Sequence, residues 1–165
     1  MPTLTLSIGS NIDATKNLRL ANAALLVEFG NICCSTVYES EPVGFEGDNF
    51  LNLVAAIETN LPLTDIAVTL KHIEDLLGRD RNQPKFSGRT MDIDVLTFGD
   101  AVGGDCGMHL PRDEITRNAF VLRPLAELLP DQIHGPTGKT FGQLWNAFDQ
   151  SRQKLWPIDF DWAVA

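Results

Sequence analysis

Thr3-Leu4-Thr5-Leu6-Ser7-Ile8-Gly9-Ser10-Asn11 alternates apolar and polar residues strictly and then ends on a turn. Leu4, Leu6 and Ile8 share one face, the pattern of a half-buried strand. Past Asn11 the period changes: Leu18, Ala21, Leu25 and Phe29 recur at helical spacing up to Gly30, a residue suited to ending a helix. The chain then repeats the theme. Residues 32–38 are β-branched and aromatic enough for a second strand. Residues 50–58, apolar on both faces, read as a third strand inside the sheet rather than at its edge. Pro62 suits the first turn of the clearest helix, in which Leu63, Ile66, Leu70, Ile73 and Leu77 line one side up to Gly78. Thr90–Phe98 reads as a fourth strand. A helical region from about Asp113 to Leu129, bent or broken at Pro124, and a further helix near Thr140–Phe148 follow. Strand, helix, two strands, helix, strand predicts an α+β domain: a ferredoxin-like antiparallel sheet with helices packed on it and extra C-terminal helices. Residues 1–165 read as one domain, without internal repeats or low-complexity segments.

Composition narrows the function classes. The net charge is −9, which disfavours nucleic acid, because such binders draw most of their affinity from phosphate contacts. No apolar run approaches the ~18 residues of a membrane span, and residues 1–20 lack a signal-peptide layout. Of the three cysteines, Cys33 and Cys34 are adjacent and so point to opposite faces of a strand, a poor arrangement for a bridge. A cytoplasmic monomer acting on small molecules is expected, with no membrane and no nucleic-acid partner.

Within the acidic whole, Arg79, Arg81, Lys85 and Arg89 cluster, opposed only by Asp80. Such a patch suits a compact, multiply charged anion, although it is equally what an ordinary solvated loop looks like. Immediately downstream, Asp92 and Asp94 fall on one strand face, roughly 7 Å apart. Leu96 and Phe98 continue that face, while Met91, Ile93 and Val95 fill the other. Two carboxylates on an apolar strand repel each other and resist desolvation unless a cation sits between them. Mg²⁺ shared with substrate phosphates meets that need. The bland alternative is a solvated strand end. A second pair, Phe50 and Asn52, shares a strand face and offers an aromatic surface beside an amide, a match for a flat heterocycle or simply a core Phe next to a polar strand end. Gly138-Lys139-Thr140 imitates a P-loop ending, but Ile133 stands where its first glycine belongs, so Gly135-Pro136-Thr137-Gly138 reads as a turn. His72, His109 and His134 lack metal-ligand spacing.

These blocks, in order, carry a resemblance. Leu6-Ser7-Ile8-Gly9-Ser10-Asn11, Tyr38-Glu39-Ser40-Glu41-Pro42-Val43-Gly44 and Asn49-Phe50-Leu51-Asn52 come first. Ile73-Glu74 with Gly78-Arg79, Arg89-Thr90-Met91-Asp92-Ile93-Asp94, and Ala119-Phe120-Val121-Leu122 with Pro124-Leu125-Ala126-Glu127 follow. Together they resemble the 6-hydroxymethyl-7,8-dihydropterin pyrophosphokinase family from the first strand to about residue 130. The resemblance implies transfer of pyrophosphate from ATP to the pterin, with AMP leaving, in folate biosynthesis. It implies that Asp92 and Asp94 hold two Mg²⁺ ions and that Arg79 and Arg89 engage the triphosphate and the transferring group. Lys71, Glu74, Arg81, Val95, Arg112 and Arg117 are the further nucleotide contacts it implies. Ser40, Val43, Phe50, Asn52 and Phe120 are its pterin pocket, and loops of about 42–49 and 79–89 close over the substrates. Three positions depart from the family pattern: Ser87-Gly88 in place of Gly-Pro, Arg112 in place of His after Pro111, and Asn118 in place of Arg. Two other functions fit the same residues: a paralogue acting on a different pterin, or a pterin- or nucleotide-binding module without turnover.

Overall fold

The structure, a computed structural model, describes residues 1–42, 46–78, 91–105 and 107–163. Strand β1 (Thr3–Ser10) leads to helix α1 (Ala14–Phe29), then short strands β2 (Cys33–Cys34) and β3 (Val37–Ser40), and the long strand β4 (Phe50–Glu58). Helix α2 (Leu63–Leu76), strand β5 (Asp92–Phe98) and a hairpin of β6 (Gly103–Asp105) and β7 (Met108–Leu110) follow. After a 3₁₀ turn at Asp113–Thr116 come α3 (Ala119–Leu128), a hairpin of β8 (Ile133–His134) and β9 (Lys139–Thr140), α4 (Phe141–Ala147) and β10 (Leu155–Ile158).

The class is α+β, with an antiparallel sheet and helices packed on it. Among the described residues the main sheet runs β10-β3-β4-β1-β5, with β2 also paired to β4. The apolar side chains of β1 (Leu4, Leu6, Ile8) meet Leu53, Ala55 and Ile57 of β4, and Leu18, Ala21 and Leu25 of α1 with Ile66, Leu70 and Ile73 of α2 close this side. The extra C-terminal helices cover the opposite side of the sheet: Val54 and Leu96 pack there with Val121, Leu122 and Leu125 of α3 and with Phe141 of α4. Burying strands on both faces explains why β4 reads as apolar throughout.

Four details differ from the sequence expectation, each for a physical reason. The second strand is split into β2 and β3, because the Ser35 hydroxyl accepts the Val54 N–H at 3.0 Å and interrupts the ladder there. The helical region after residue 113 breaks at 117–118 rather than at Pro124, which lies inside α3 and is buried. Pro124 forfeits one hydrogen bond, and the packing of the surrounding buried side chains outweighs it. In β5 a register shift opposite Thr5/Leu6 inserts one extra residue, so Val95 faces Leu6 and Thr97 faces Thr5. Phe98 is thereby turned away from the aspartate face and packs in the α1/α2 core, while the Thr97 and Thr5 hydroxyls meet at 2.6 Å. Finally, β10 was not foreseen: it adds to β3, and Pro157 is tolerable in it because β10 is the outermost strand. The Gly135–Gly138 segment does turn between β8 and β9, with Gly138 at φ 71°.

Candidate active site

The antiparallel register lays the candidate residues in rows across one sheet face. In one row Tyr38 of β3, Asn52 of β4, Gly9 of β1 and Asp92 of β5 are successive cross-strand partners. In the next row Val54, Ser7 and Asp94 are partners. Phe50 lies opposite Ser40 one row further out. Leu4, Leu6 and Ile8 occupy the other face, so alternation places all of these side chains on the side covered further along by α3. Asn52 and Asp92 are two strand spacings apart, about 10 Å. The pair proposed for a heterocycle and the pair proposed for cations are therefore neighbours on a single surface.

Around Asp94 negative charge is crowded. Burial pushes its carboxyl up to about 6; Arg112 opposes this, while Asp92, Glu114 and Glu74 reinforce it. The Arg112 guanidinium stands 3.8 Å from Asp94 Oδ1, and its Nε donates to Glu114 Oε1 at 3.1 Å. What places Arg112 is the backbone: its N–H donates to the carbonyl of Leu96, the extra residue of the β5 bulge, at 2.9 Å. The strand's outer edge is held at a second point, where the Ile93 N–H donates to Glu74 Oε2 at 2.9 Å. Glu74 is only 6 % exposed, so α2 fixes through it the residue that lies between the two aspartates.

This donor set fits Mg²⁺. Hard carboxylate oxygens gathered on one face, with the Asp94 carboxyl partly desolvated, are the donors a divalent cation takes. Mg²⁺ takes a few carboxylates together with substrate and water oxygens, so two aspartates are a sufficient protein contribution.

On the heterocycle side Asn52 is buried, and its Nδ2 donates to Ser40 Oγ at 3.3 Å. Phe50 and Ser40 are half-buried beside it. Behind this row the Tyr38 hydroxyl donates to Glu127 Oε1 at 2.7 Å, and the Arg123 guanidinium lies over the Tyr38 ring. Burial, with the hydrogen bond to Glu127, raises the Tyr38 hydroxyl to about 12. Phe120, in the first turn of α3, is half-buried against the α3/α4 core.

The profile of the family described as 7,8-dihydro-6-hydroxymethylpterin-pyrophosphokinase (HPPK) matches residues 5–130. The chain belongs to this family. An Aquifex aeolicus relative named 2-amino-4-hydroxy-6-hydroxymethyldihydropteridine pyrophosphokinase is 35% identical over 136 residues, 81% of this chain and 84% of its own. A Pseudomonas aeruginosa relative of the same name is 34% identical over 142 residues, 84% of this chain and 86% of its own. Among solved structures, wild-type Plasmodium falciparum HPPK-DHPS superposes with a TM-score of 0.67 at 17% identity, over 88% of this chain and 40% of that longer one. At that identity the likeness speaks for the fold, and the chain spans less than half of the solved polypeptide.

Against the HPPK pattern the remaining candidates sort by position. Arg79, Arg81, Arg89 and Val43 lie outside the described residues. Val95 is 4 % exposed in the core of the opposite face, so only its backbone can meet a nucleotide. Lys71 is exposed on α2. The Arg117 guanidinium is exposed, 3.6 Å from Asp113 Oδ2. Asn118, which stands where the family has Arg, is engaged elsewhere: its Nδ2 donates to Glu114 and its Oδ1 accepts from Gln153. Gln153 also accepts the Ala119 N–H at 2.6 Å and so caps α3. Gly9, Tyr38 and Glu127 stand in the quoted motifs without a role of their own, and Glu114 and Gln153 stand outside them; the rows of the sheet and the side-chain contacts place all five beside the candidate site.

Proposed function

We propose that the chain transfers the pyrophosphoryl group of ATP to 6-hydroxymethyl-7,8-dihydropterin and releases AMP, a step of folate biosynthesis. The observation that carries this is the shared row: Asn52, the polar reader of a flat heterocycle, and Asp92, a cation ligand, separated by one bare glycine. Asn52 supplies amide donors and an acceptor to the pterin edge, and Phe50 supplies a surface on which its ring stacks. Ser40 orients the Asn52 amide. Asp92 and Asp94 would hold Mg²⁺, two ions on this reading, which when bound would neutralise the phosphate oxygens and the charge that develops during transfer. Arg112 contributes a guanidinium close to those phosphates, and Arg79 and Arg89, which lie outside the described residues, engage the triphosphate. Phosphoryl chemistry asks a protein chiefly for positioning and charge neutralisation, so no covalent intermediate is required. The pterin hydroxymethyl oxygen attacks the β-phosphorus and releases its proton to solvent, and AMP leaves with the electron pair of the cleaved bond.

A binding module without turnover accounts less well for Asp94, since a carboxylate held among three other acids is a liability to a protein that uses no cation there. We further read residues 1–165 as a single catalytic domain working as a cytoplasmic monomer. No helix among the described residues is long and apolar enough to cross a membrane, and the thiols of Cys33 and Cys34 are free. Chromatography of the nucleotides tests the central assignment. Pterin- and Mg²⁺-dependent AMP supports it; ADP as the main product, or no pterin dependence, rejects it.

A further inference from the structure

We propose that Gly9 is a positioning residue for the pterin, its missing side chain being what allows the Asn52 amide to lie across β1. The inference rests on the assignment of Asn52 to the pterin and adds the reason that amide is where it is. Gly9 is not among the glycines with positive φ, which include Gly30, Gly78 and Gly99, so its backbone conformation is open to any residue. Space is the constraint. A Cβ built on Gly9 would lie 2.5 Å from Asn52 Oδ1, whereas its next neighbours, Asn52 Cγ at 3.6 Å and the Leu51 carbonyl at 3.8 Å, are ordinary contacts. The Asn52 amide is thus laid between two supports: the bare backbone of Gly9 on one side and the Ser40 hydroxyl, 3.3 Å from its Nδ2, on the other.

A methyl group at residue 9 would drive the amide oxygen back by about 1 Å to reach ordinary contact distance. Because the obstructed atom is the free end of a side chain, the fold absorbs the change. An alanine also loses less conformational freedom in a strand than glycine does. The cost falls instead on the ligand, since a displacement of about 1 Å in a binding group lowers productive binding by as much as 100-fold. No Asp92 atom is among the three nearest neighbours of that Cβ, so the nucleotide side is spared.

A double-mutant cycle tests this. Calorimetry would measure 6-hydroxymethyl-7,8-dihydropterin binding in the presence of Mg²⁺ and a non-hydrolysable ATP analogue, and analogue binding separately, for wild type, Gly9→Ala, Asn52→Ala and the double variant. Gly9→Ala is expected to weaken pterin binding by about 10- to 100-fold, to leave analogue binding within about twofold, and to melt no lower than wild type. The double variant is expected to bind pterin no worse than Asn52→Ala alone, because the clash vanishes with the amide. A damaging Asn52→Ala beside a silent Gly9→Ala, or losses that multiply in the double variant, would overturn the Gly9 assignment alone. A marked fall in melting temperature for Gly9→Ala would overturn it too, by making the role structural. Wild-type pterin affinity in Asn52→Ala would refute the assignment of Asn52, and the inference with it.

Discussion

Arg112→Ala removes the cation that stands 3.8 Å from Asp94 Oδ1, and the size of the effect can be worked from its surroundings. Charge-assisted hydrogen bonds are worth about 1.5–3 kcal/mol each, and a guanidinium can give a phosphate two in parallel. The Arg112 side chain is 37% exposed, so screening places the loss towards the lower end, at about 2–4 kcal/mol. At about 1.4 kcal/mol per tenfold, kcat/KM should fall by roughly 30- to 700-fold. Arg112→Lys keeps the charge but loses the planar fork, and about a tenfold loss is expected from it. Free-protein melting should hardly move, because partly exposed ion pairs contribute about 0–1 kcal/mol. Asn118→Arg should not restore anything, since Asn118 lies in hydrogen bonds with Glu114 and Gln153. Initial rates of AMP formation for the three variants decide the matter. A silent Arg112→Ala together with a faster Asn118→Arg would refute the reasoning and show that the phosphate contact is simply absent.

The other expectations are as specific. Phe50→Ala should weaken pterin binding by about 1–3 kcal/mol and leave a non-hydrolysable ATP analogue nearly unaffected, by calorimetry of each ligand; equal losses would detach that face from the pterin. Glu74→Ala strands the buried Ile93 N–H and should cost about 1–3 kcal/mol of stability as well as turnover, whereas Glu74→Gln, which keeps an acceptor, should recover most of the stability in denaturant titration. The Asp94 carboxyl is raised from 3.8 to about 6 in the folded chain, so the folded state binds that proton more tightly than the unfolded one. Its contribution to stability is present below pH 3.8 and lost as the pH rises through 6. Asp94→Asn should therefore gain on wild type across that window in metal-free melting, and a gap that stays flat with pH would contradict it.

Local patterning carried the first half of the fold because there it agrees with the tertiary structure. Leu4, Leu6 and Ile8 alternate towards one core, and Leu63, Ile66, Leu70 and Ile73 are all buried along α2. The Asp92/Asp94 and Phe50/Asn52 pairs were legible for the same reason, since a period of two puts each pair on one face. What escaped depends on partners far along the chain. The bulge that reverses Phe98 is set by the register of β5 on β1. Leu155-Trp156-Pro157-Ile158 shows no alternation and is a strand only because β3 offers it an edge. Gln153 reads as an ordinary polar residue until it is seen capping α3. The closeness of the two proposed ligand sites, likewise, lies in no single motif but in Gly9 joining Asn52 to Asp92 across the sheet.

The most direct measurement follows the β-phosphorus. With Mg²⁺, 6-hydroxymethyl-7,8-dihydropterin and ATP labelled at the β-phosphate, rapid-quench analysis should find the label in the pterin product and none in the nucleotide product, at a rate that Asp92→Ala or Asp94→Ala lowers by several orders of magnitude. Label retained in ADP, or transfer that either aspartate variant leaves unchanged, would contradict the account.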